Sequence, residues 1–516
     1  MTQVRSRVLA VSVACTAFAA TGCEQTPFTP QEDATGYVSV DTRTSSVVYT
    51  GTIRIGVVPT ATSVSVGADG PWELIDKATG NAALTGSGGT LAVTIQTPAT
   101  IVTIWRLQVA CYGVASQSAL NAWLAQAQAL GYTTWTEFVP AANCTRARIV
   151  NTSGSDSFGA RSAFRNQAIA DGVAGTDSFW PSPPATEISA AVLRVTGESD
   201  VLVSEAAILR SADGRVTING APYRGVAEVV PNASGSLAGV NALPMDDYLY
   251  GVVPRELPPT VYAELEALKA QAIAARTYAM RGLGKRAANG YDLLPTTSDQ
   301  VYGGLNAEHP LSSQAVDETA GLVAMYNGAL IEALYSSTSG GHTADSEEVY
   351  NSAPVPYLRG VPDAQRGSSF ENVPTLAVFK AHPNPRSLRG YKAGDFEADW
   401  SRYHRWTFEW SAEEISDAIS AWRGTNVGTV HEINVLERGP SGRVVRIEYV
   451  TDAGTFESTK DAIRSSLRFI NANGTFSSML STLFYLEPVT DRGTNEVTGF
   501  VAWGGGWGHG VGLSQT

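Results

Sequence analysis

Residues 103–180 run through one ordered series of patterns, and that series restricts the fold more than any other part of the chain. "IWRLQVACY" alternates as a strand does, and "SQSALNAWLAQAQALG" (116–131) has helical spacing. Leu120, Trp123 (or Leu124) and Ala127 fall on one helix face, and Gly131 supplies the stop. "YTTWTEFV" and "TRARIV" read as two further strands across "PAAN", "SFGARSAFRNQAIADG" as a second helix, and "AGTDSFW" as a last strand. The order βαββαβ is that of a ferredoxin-like split unit, closed by the linker "PSPP" at 181–184. In that order the first and third strands are antiparallel neighbours. Cys111, ending the first, then lies beside Cys144, starting the third, and a disulfide between them is expected.

Short β-runs flank this unit on both sides. "SVVYTGTIRIGVV", "TSVSVG", "WELIDKATG" and "TLAVTIQ" fill residues 46–96, separated by turns such as Asp69-Gly70 and Gly88-Gly89. "AAVLRV", "RVTING", "APYRGVAEVVP" and "GVNALPMDDYLYGVV" resume β-structure after residue 190. At the N-terminus Arg5 and Arg7 precede an apolar run from Val8 to Ala20 and then "ATGC", the pattern of an export signal. Cys23 stands where bacterial lipoproteins are acylated, so a lipid anchor is expected, with ordinary secretion as the alternative. Residues 24–45 are polar and read as a tether. The expected organisation is a signal over 1–23, the tether over 24–45, a β-rich part over 46–102, the inserted unit over 103–180, and a larger domain over 190–516. The fold class is α+β. The net charge of −13 argues against nucleic acid as a partner, since such proteins carry a basic stripe. The six histidines form no HxxxH or HxH, so spacing offers no zinc site.

Three stretches carry residues suited to chemistry. "GVVPRELPP" (251–259) holds Glu256 between Pro254 and the Pro258-Pro259 pair, which stiffen the chain. A long helix is expected next, over 260–281, with Thr260 as N-cap and Glu256 close to its positive end. Leu265, Leu268, Ala272 and Ala279 form its apolar stripe, and Lys269 and Arg276 lie near that stripe rather than opposite it. The two cations either snorkel at the core's edge or point into a cleft. "YSSTSGGHT" (335–343) offers small hydroxyl residues and Gly340-Gly341, which permit close backbone approach. "WGGGWGHGVGLSQ" (503–515) surrounds Trp507 and His509 with glycines; tryptophan gives a flat face suited to sugars.

Taken in order, "LPMDDYLYGVVPRELP", "EALKAQAIAARTYA", "GYDLLPTTSDQVYGG", "AVDETAGLVAMYNGALIEALYSSTSGGHT", "PYLRGVPD" and "GWGHGVGLSQ" resemble the stage II sporulation protein D family over residues 243–515. The unit at 103–180 resembles the SPOR domain, a sporulation-related repeat that binds peptide-stripped glycan strands of peptidoglycan, through "LQVACY", "LGY" and "RARIV". The resemblance implies a β-rich catalytic domain with a central long helix, carrying the inserted unit. It implies a lytic transglycosylase that cleaves between MurNAc and GlcNAc, with Glu256 as the single general acid and base and no cofactor. Such an acid needs a raised pKa, from burial rather than pairing, so Lys269 and Arg276 are expected to contact substrate or other acids. The same carry-over makes Lys269, Gln271, Arg276, Tyr335, Ser337, Gly340, Gly341, Trp507, His509 and Gln515 cleft candidates, and Gln108 and Tyr112 candidates on the sheet face of the inserted unit. Some members place His and Cys where this chain has Ser298 and Asp299, so no zinc is expected there. The chain stops at Gln515-Thr516 where members continue into a helix, so a truncated C-terminus is expected. Some relatives enhance cell-wall amidases, so a non-catalytic role beside an amidase partner is the alternative, and a lipid-tethered glycan-binding scaffold a third reading. Either way the resemblance implies an exported protein of the cell envelope, with peptidoglycan glycan as its partner.

Overall fold

The computed structural model describes the strand pair Tyr37–Ser39 and Val47–Tyr49 and residues 51–516, apart from 100, 140–142, 154, 156, 183, 189, 233, 364–374, 381–400 and 472. The export signal with Cys23 lies outside the described residues. Secondary structure is mixed and β-rich, about 23% helix and 39% strand, which is an α+β protein.

Two stretches far apart in sequence build one ten-stranded antiparallel sheet. Ile53–Ala61, Ser63–Gly67, Pro71–Asp76, Ala82–Ser87 and Thr90–Thr97 come from the first; Val192–Thr196, Val201–Ser204, Ala207–Ile218, Ala221–Pro231 and Leu237–Leu243 come from the second. The period-two alternation puts Val64, Val66, Leu74, Val93, Leu193, Val195, Leu209, Val216 and Ile218 on one buried face. Ala207–Ile218 pairs with Ala221–Pro231 along one edge and with two partners along the other: its first half with Pro71–Asp76, and Thr217 and Ile218 with Gly67 and Val66. Val192 sits directly opposite Thr97, and beyond them Ala185–Ile188 pairs with Ile101–Ile104. The chain between these positions therefore leaves and re-enters the sheet through one two-stranded neck, which lets a whole unit be carried without disturbing the ladder.

Within that excursion Arg106–Gly113, Thr134–Val139 and Cys144–Val150 form a three-stranded antiparallel sheet with Cys144–Val150 in the middle. Helices α1 (Gln117–Ala129) and α2 (Phe158–Ala170) cover one face through Leu107, Trp123, Ala127, Ala147, Ile149 and Ala168. Cys111 and Cys144 are disulfide-linked, 5.6 Å apart at Cα. The expected last strand contracts to one bridge, Phe179 beside Gln108. The guanidinium of Arg165 on α2 takes the carbonyls of Thr176 and Ser178, leaving those groups unavailable for a ladder.

The next segment departs from expectation. The strand ends at Leu243 and "MDDYLYGVVPRE" is a helix, α3 (Met245–Glu256), rather than more β-structure. Pro244 fixes its entry, and Asp246 and Asp247 sit in its first turn against the positive end of the helix dipole. The following helix, α4 (Leu265–Arg281), starts five residues later than Thr260, because residues 258–262 form a turn on the Pro258 carbonyl. With α5 (Pro310–Asp317) these helices pack Tyr248, Leu249, Val252, Val253, Leu268, Ala272, Ala275, Ala315 and Val316 against Ile53, Ile55 and Leu243 of the sheet.

The stretch expected as one domain from residue 190 holds another hydrophobic cluster besides. Strand Trp406–Ser411, helix Ala412–Arg423 and the strands between Val430 and Gly504 gather Trp406, Trp410, Ile415, Ile419, Tyr449, Phe484 and Phe500 around their own core. Three strands lie between 430 and 459.

Candidate active site

Glu256 is the last residue of α3, so it stands at the negative end of that helix's dipole. Pro254 is accommodated in the final turn, and Gly251 one turn earlier has the Tyr302 ring against it, where a Cβ would come within 2.5 Å. That contact, the Gly303 N–H donated to the Gly251 carbonyl (3.0 Å) and the Tyr302 hydroxyl donated to buried Asn241 (2.8 Å) pin residues 301–303 to α3 and to the strand before it. The Val301 N–H consequently donates to Glu256 Oε1 at 2.6 Å. Burial pushes the Glu256 carboxyl above its ordinary range, against hydrogen bonds from Val301, the Tyr335 hydroxyl and the Gln515 side chain, which favour the carboxylate. Among the described residues no cation pairs with it.

Tyr335 is itself held in a relay. The Tyr248 hydroxyl donates to Gln300 Oε1 (3.1 Å), and Gln300 Nε2 donates to the Tyr335 hydroxyl (3.0 Å) and to the Ala275 carbonyl (3.2 Å). Burial and the neighbouring Glu256 charge keep the Tyr335 phenol well above its ordinary pKa, so it remains a donor. Gln515 Nε2 bonds the Glu256 carbonyl (3.1 Å) and Gln271 Oε1 (3.3 Å). Gln271 is fully buried on α4, and its Nε2 has no partner among the described residues.

The two glycine-rich segments meet here. Tyr335 and Ser336 pair in parallel with Leu513 and Ser514, and Thr338 bridges Trp507. Gly340, at φ 79°, lies so close to Gly505 that a Cβ would come within 2.7 Å of its carbonyl carbon, and Gly341 follows at φ 109°. The Ser337 hydroxyl bonds its neighbour, Ser337 Oγ to Thr338 Oγ1 at 3.2 Å. His509 is a brace: its Nδ1 accepts the Val511 N–H (3.0 Å) and its ring bonds the Tyr335 backbone. Burial pushes its pKa down to about 4, so it is neutral. Trp507 is 40% exposed. Two buried arginines of the C-terminal body grip the 335–343 segment: Arg443 donates to the carbonyls of Ser339 and His342 (both 2.8 Å), and Arg405 to that of Gly340 (3.0 Å).

The structure thus gathers Glu256, Gln271, Tyr335, His509 and Gln515, with Ser337, Gly340, Gly341 and Trp507 on the adjoining strand pair. It does not bring Lys269 or Arg276 to Glu256. Lys269 pairs with Glu318 (2.6 Å) and Glu266 (2.8 Å). Arg276 is 2% exposed and pairs with Asp246 (2.9 Å), ten positions before Glu256, or about 15 Å along α3 at 1.5 Å per residue. It also caps the Val316 and Leu322 carbonyls. Both cations bind other acids and hold helices together. Asp299, one of the two positions singled out in the sequence for zinc, has a fully buried side chain that pairs with Lys285 (2.6 Å) and Arg286 (3.0 Å). Gln300, Val301 and Tyr248 were missed by sequence reasoning; their signal was the motif text itself, "DQVYGG" for the first two and "MDDYLYGVV" for Tyr248.

On the inserted unit, Tyr112 pairs with Thr145 and so shares the helix-covered face, where it packs beside Trp123. Gln108 does lie on the open face, but its carboxamide is taken by Arg148 (2.8 Å) and the Ala110 carbonyl (2.6 Å). The open face instead presents Trp135, with the Arg106 and Arg148 guanidinium carbons 4.5 and 5.0 Å from its ring centroid.

Residues 233–326 match the model of a family described as stage II sporulation protein, and residues 344–512 match a domain of unknown function. The amidase enhancer of Bacillus subtilis (strain 168) is 30% identical over 287 residues, 52% of this chain and 36% of the relative. The stage II sporulation protein D of the same organism is 37% identical over 137 residues, 24% of this chain and 39% of the relative. An uncharacterized protein of Brachyspira hyodysenteriae (strain ATCC 49526 / WA1) is 41% identical over 158 residues, 30% of this chain and 42% of the relative. These matches span 36–42% of the relatives' own lengths. The segments that position Glu256 up to residue 326 are those the family model covers, and residues 233–326 of the chain belong to the stage II sporulation protein family.

Proposed function

We propose that the protein is a peptidoglycan lytic transglycosylase acting on peptide-stripped glycan strands. Glu256, protonated, gives its proton to the glycosidic oxygen between MurNAc and GlcNAc as the C1–O bond breaks. The 6-hydroxyl of the same MurNAc then closes on C1, and the Glu256 carboxylate takes the hydroxyl proton. The products are a 1,6-anhydroMurNAc end and a free GlcNAc hydroxyl, and Glu256 is again protonated. Because the nucleophile is internal, one carboxyl group suffices, unlike the paired carboxylates of most glycoside hydrolases. The observation that carries this reading is the state of Glu256: largely enclosed at the negative end of α3, without a cation among the described residues, its Oε1 fixed by Val301 and a phenol donor at hand. Burial favours the acid form, and the two donors hold the carboxylate that forms mid-cycle.

The inserted unit, which we take as a ferredoxin-like, SPOR-like module over 103–180, would hold the strand. Its strand order, with Phe179 beyond Arg106–Gly113, and its open face of Trp135 between two arginines support that role, since stripped MurNAc carries a free carboxylate. With the signal and Cys23, the protein would work in the cell envelope on a lipid tether.

The similarity to an amidase enhancer over 52% of the chain favours a second reading, a non-catalytic activator of a wall amidase. Mass spectrometry of glycan strands incubated with the purified protein separates the two. AnhydroMurNAc ends from the wild type and none from Glu256→Gln support catalysis. Intact strands that remain bound sink it in favour of the activator.

A further inference from the structure

We propose that the open face of Trp507 is a sugar-stacking subsite of the cleft and that Tyr403 sets its orientation. The inference rests on the glycan reading above and adds where along the strand a ring is held. An indole left 40% exposed forgoes much of the apolar burial that a tryptophan offers. Here the backbone enforces that exposure. Gly506 and Gly508 flank Trp507 at φ 83° and 109°; a Cβ on the first would come within 2.7 Å of the Thr338 carbonyl oxygen, and on the second within 2.8 Å of the Ser336 Cβ. Thr338 and Trp507 exchange two main-chain hydrogen bonds (3.1 and 2.9 Å), the Gly506 N–H donates to the Tyr403 carbonyl (2.8 Å), and the Gly508 N–H to the Leu480 carbonyl (2.9 Å). The loop has no freedom to fold the ring inward.

The ring is also backed. The Tyr403 and Trp507 centroids are 4.3 Å apart with planes inclined 34°, and the Arg402 guanidinium carbon lies 4.6 Å from the Tyr403 centroid. One indole face is thus occupied by tyrosine, itself steadied by arginine. The negative π-face left outward matches the apolar C–H face of a pyranose ring. Thr338 lies three residues beyond Tyr335, about 10 Å of extended chain, and its hydroxyl contacts that of Thr516 (3.3 Å), next to the Gln515 that bonds Glu256. A ring on Trp507 therefore belongs to a sugar flanking the pair that is cut. Tyr403 and Trp507 both come from the region matching a domain of unknown function, which gives that region a role in substrate length.

The test is calorimetric titration of the full chain carrying Glu256→Gln with peptide-stripped glycan strands. Adding Trp507→Ala weakens binding about tenfold, equivalent to about 1.4 kcal/mol. Adding Tyr403→Ala weakens it less, and Tyr403→Phe leaves it unchanged, with melting temperatures matched throughout. Unaltered affinity in a folded Trp507→Ala protein overturns the subsite and leaves the glycan reading standing. No binding by the Glu256→Gln parent overturns the glycan reading, and the subsite with it.

Discussion

Tyr335→Phe tests how Glu256 is tuned. The substitution removes one hydroxyl and keeps the ring. Gln300 Nε2 loses an acceptor but keeps the Ala275 carbonyl, so no donor is stranded. The lost bond is one that Tyr335 donates to the carboxylate, where it favours ionised Glu256 against burial. A hydrogen bond to a charged group is worth about 1.5–3 kcal/mol, and one pKa unit is about 1.36 kcal/mol, so the Glu256 pKa rises by about one to two units. The acid that starts the reaction is the protonated form, so kcat/KM falls as pH climbs through that pKa. The alkaline limb of the pH profile therefore moves upward in Tyr335→Phe. The assay is release of anhydroMurNAc ends at low strand concentration across the pH range, beside melting curves showing the fold retained. A limb that stays in place or moves downward refutes the reasoning, because it means Tyr335 does not stabilise the carboxylate.

Glu256→Gln should stabilise the fold in a pH-dependent way. The folded pKa lies above the unfolded one, so the native state binds the proton more tightly, stability falls as pH rises from the unfolded toward the folded value, and the penalty then stays constant. The variant's melting temperature should exceed the wild type's at neutral pH and converge with it below the unfolded pKa; equal melting temperatures at both ends would refute the burial cost. Arg443→Met strands the Ser339 and His342 carbonyls, at about 1–3 kcal/mol each, and should lower both the melting temperature and the rate of strand cleavage, since the gripped segment carries Tyr335. Replacing Cys111 and Cys144 by serine opens a loop with separation 33. The chain-entropy relation puts that at about 3–4 kcal/mol. The loss should appear as earlier exchange of the inserted unit's amides, with cleavage of short glycan fragments unchanged.

The inserted unit was legible because its information is local. Each strand and helix between Arg106 and Ala170 shows its period within a dozen residues, and the two cysteines fix which strands are neighbours. The failures there are side-chain events: Arg165 removing two carbonyls from a ladder, and a register break between Ala147 and Arg148 that sets which residues share the open face. For α3 the failure has another cause. "GVNALPMDDYLYGVV" runs from a fully buried strand straight into a helix whose Met245, Tyr248, Leu249, Gly251, Val252 and Val253 are also buried, so its apolar residues crowd without a clean period. Lys269 and Arg276 misled for the converse reason. A cation near an apolar stripe looks the same from sequence whether it opens on a cleft or meets an acid from another element, and here the acids, Glu318 and Asp246, lie 49 and 30 positions away.

The rigid prolines around Glu256 account for less of its chemistry than their spacing suggests. They end α3 and delay α4, which sets where the carboxyl stands. The donors that offset its burial and hold the carboxylate arrive from elsewhere: an amide 45 residues on, a carboxamide 259 residues on, and a phenol on a segment gripped by arginines of the C-terminal body. Such an arrangement explains why the glycines of "SSTSGGHT" and "WGGGWGHGVG" are as much part of the site as Glu256. With Gly340 packed on Gly505, and Gly506 and Gly508 at positive φ, the two segments approach at backbone distance, and only that approach delivers Tyr335 to the carboxyl and turns Trp507 outward. A Gly340→Ala protein should then keep its sheet and its inserted unit, while losing strand cleavage and the Trp507 share of strand binding together, because one displaced backbone carries both the donor and the platform. Loss of cleavage with full-strength binding by this variant would show that the segments move independently, and would detach Trp507 from the geometry that serves Glu256.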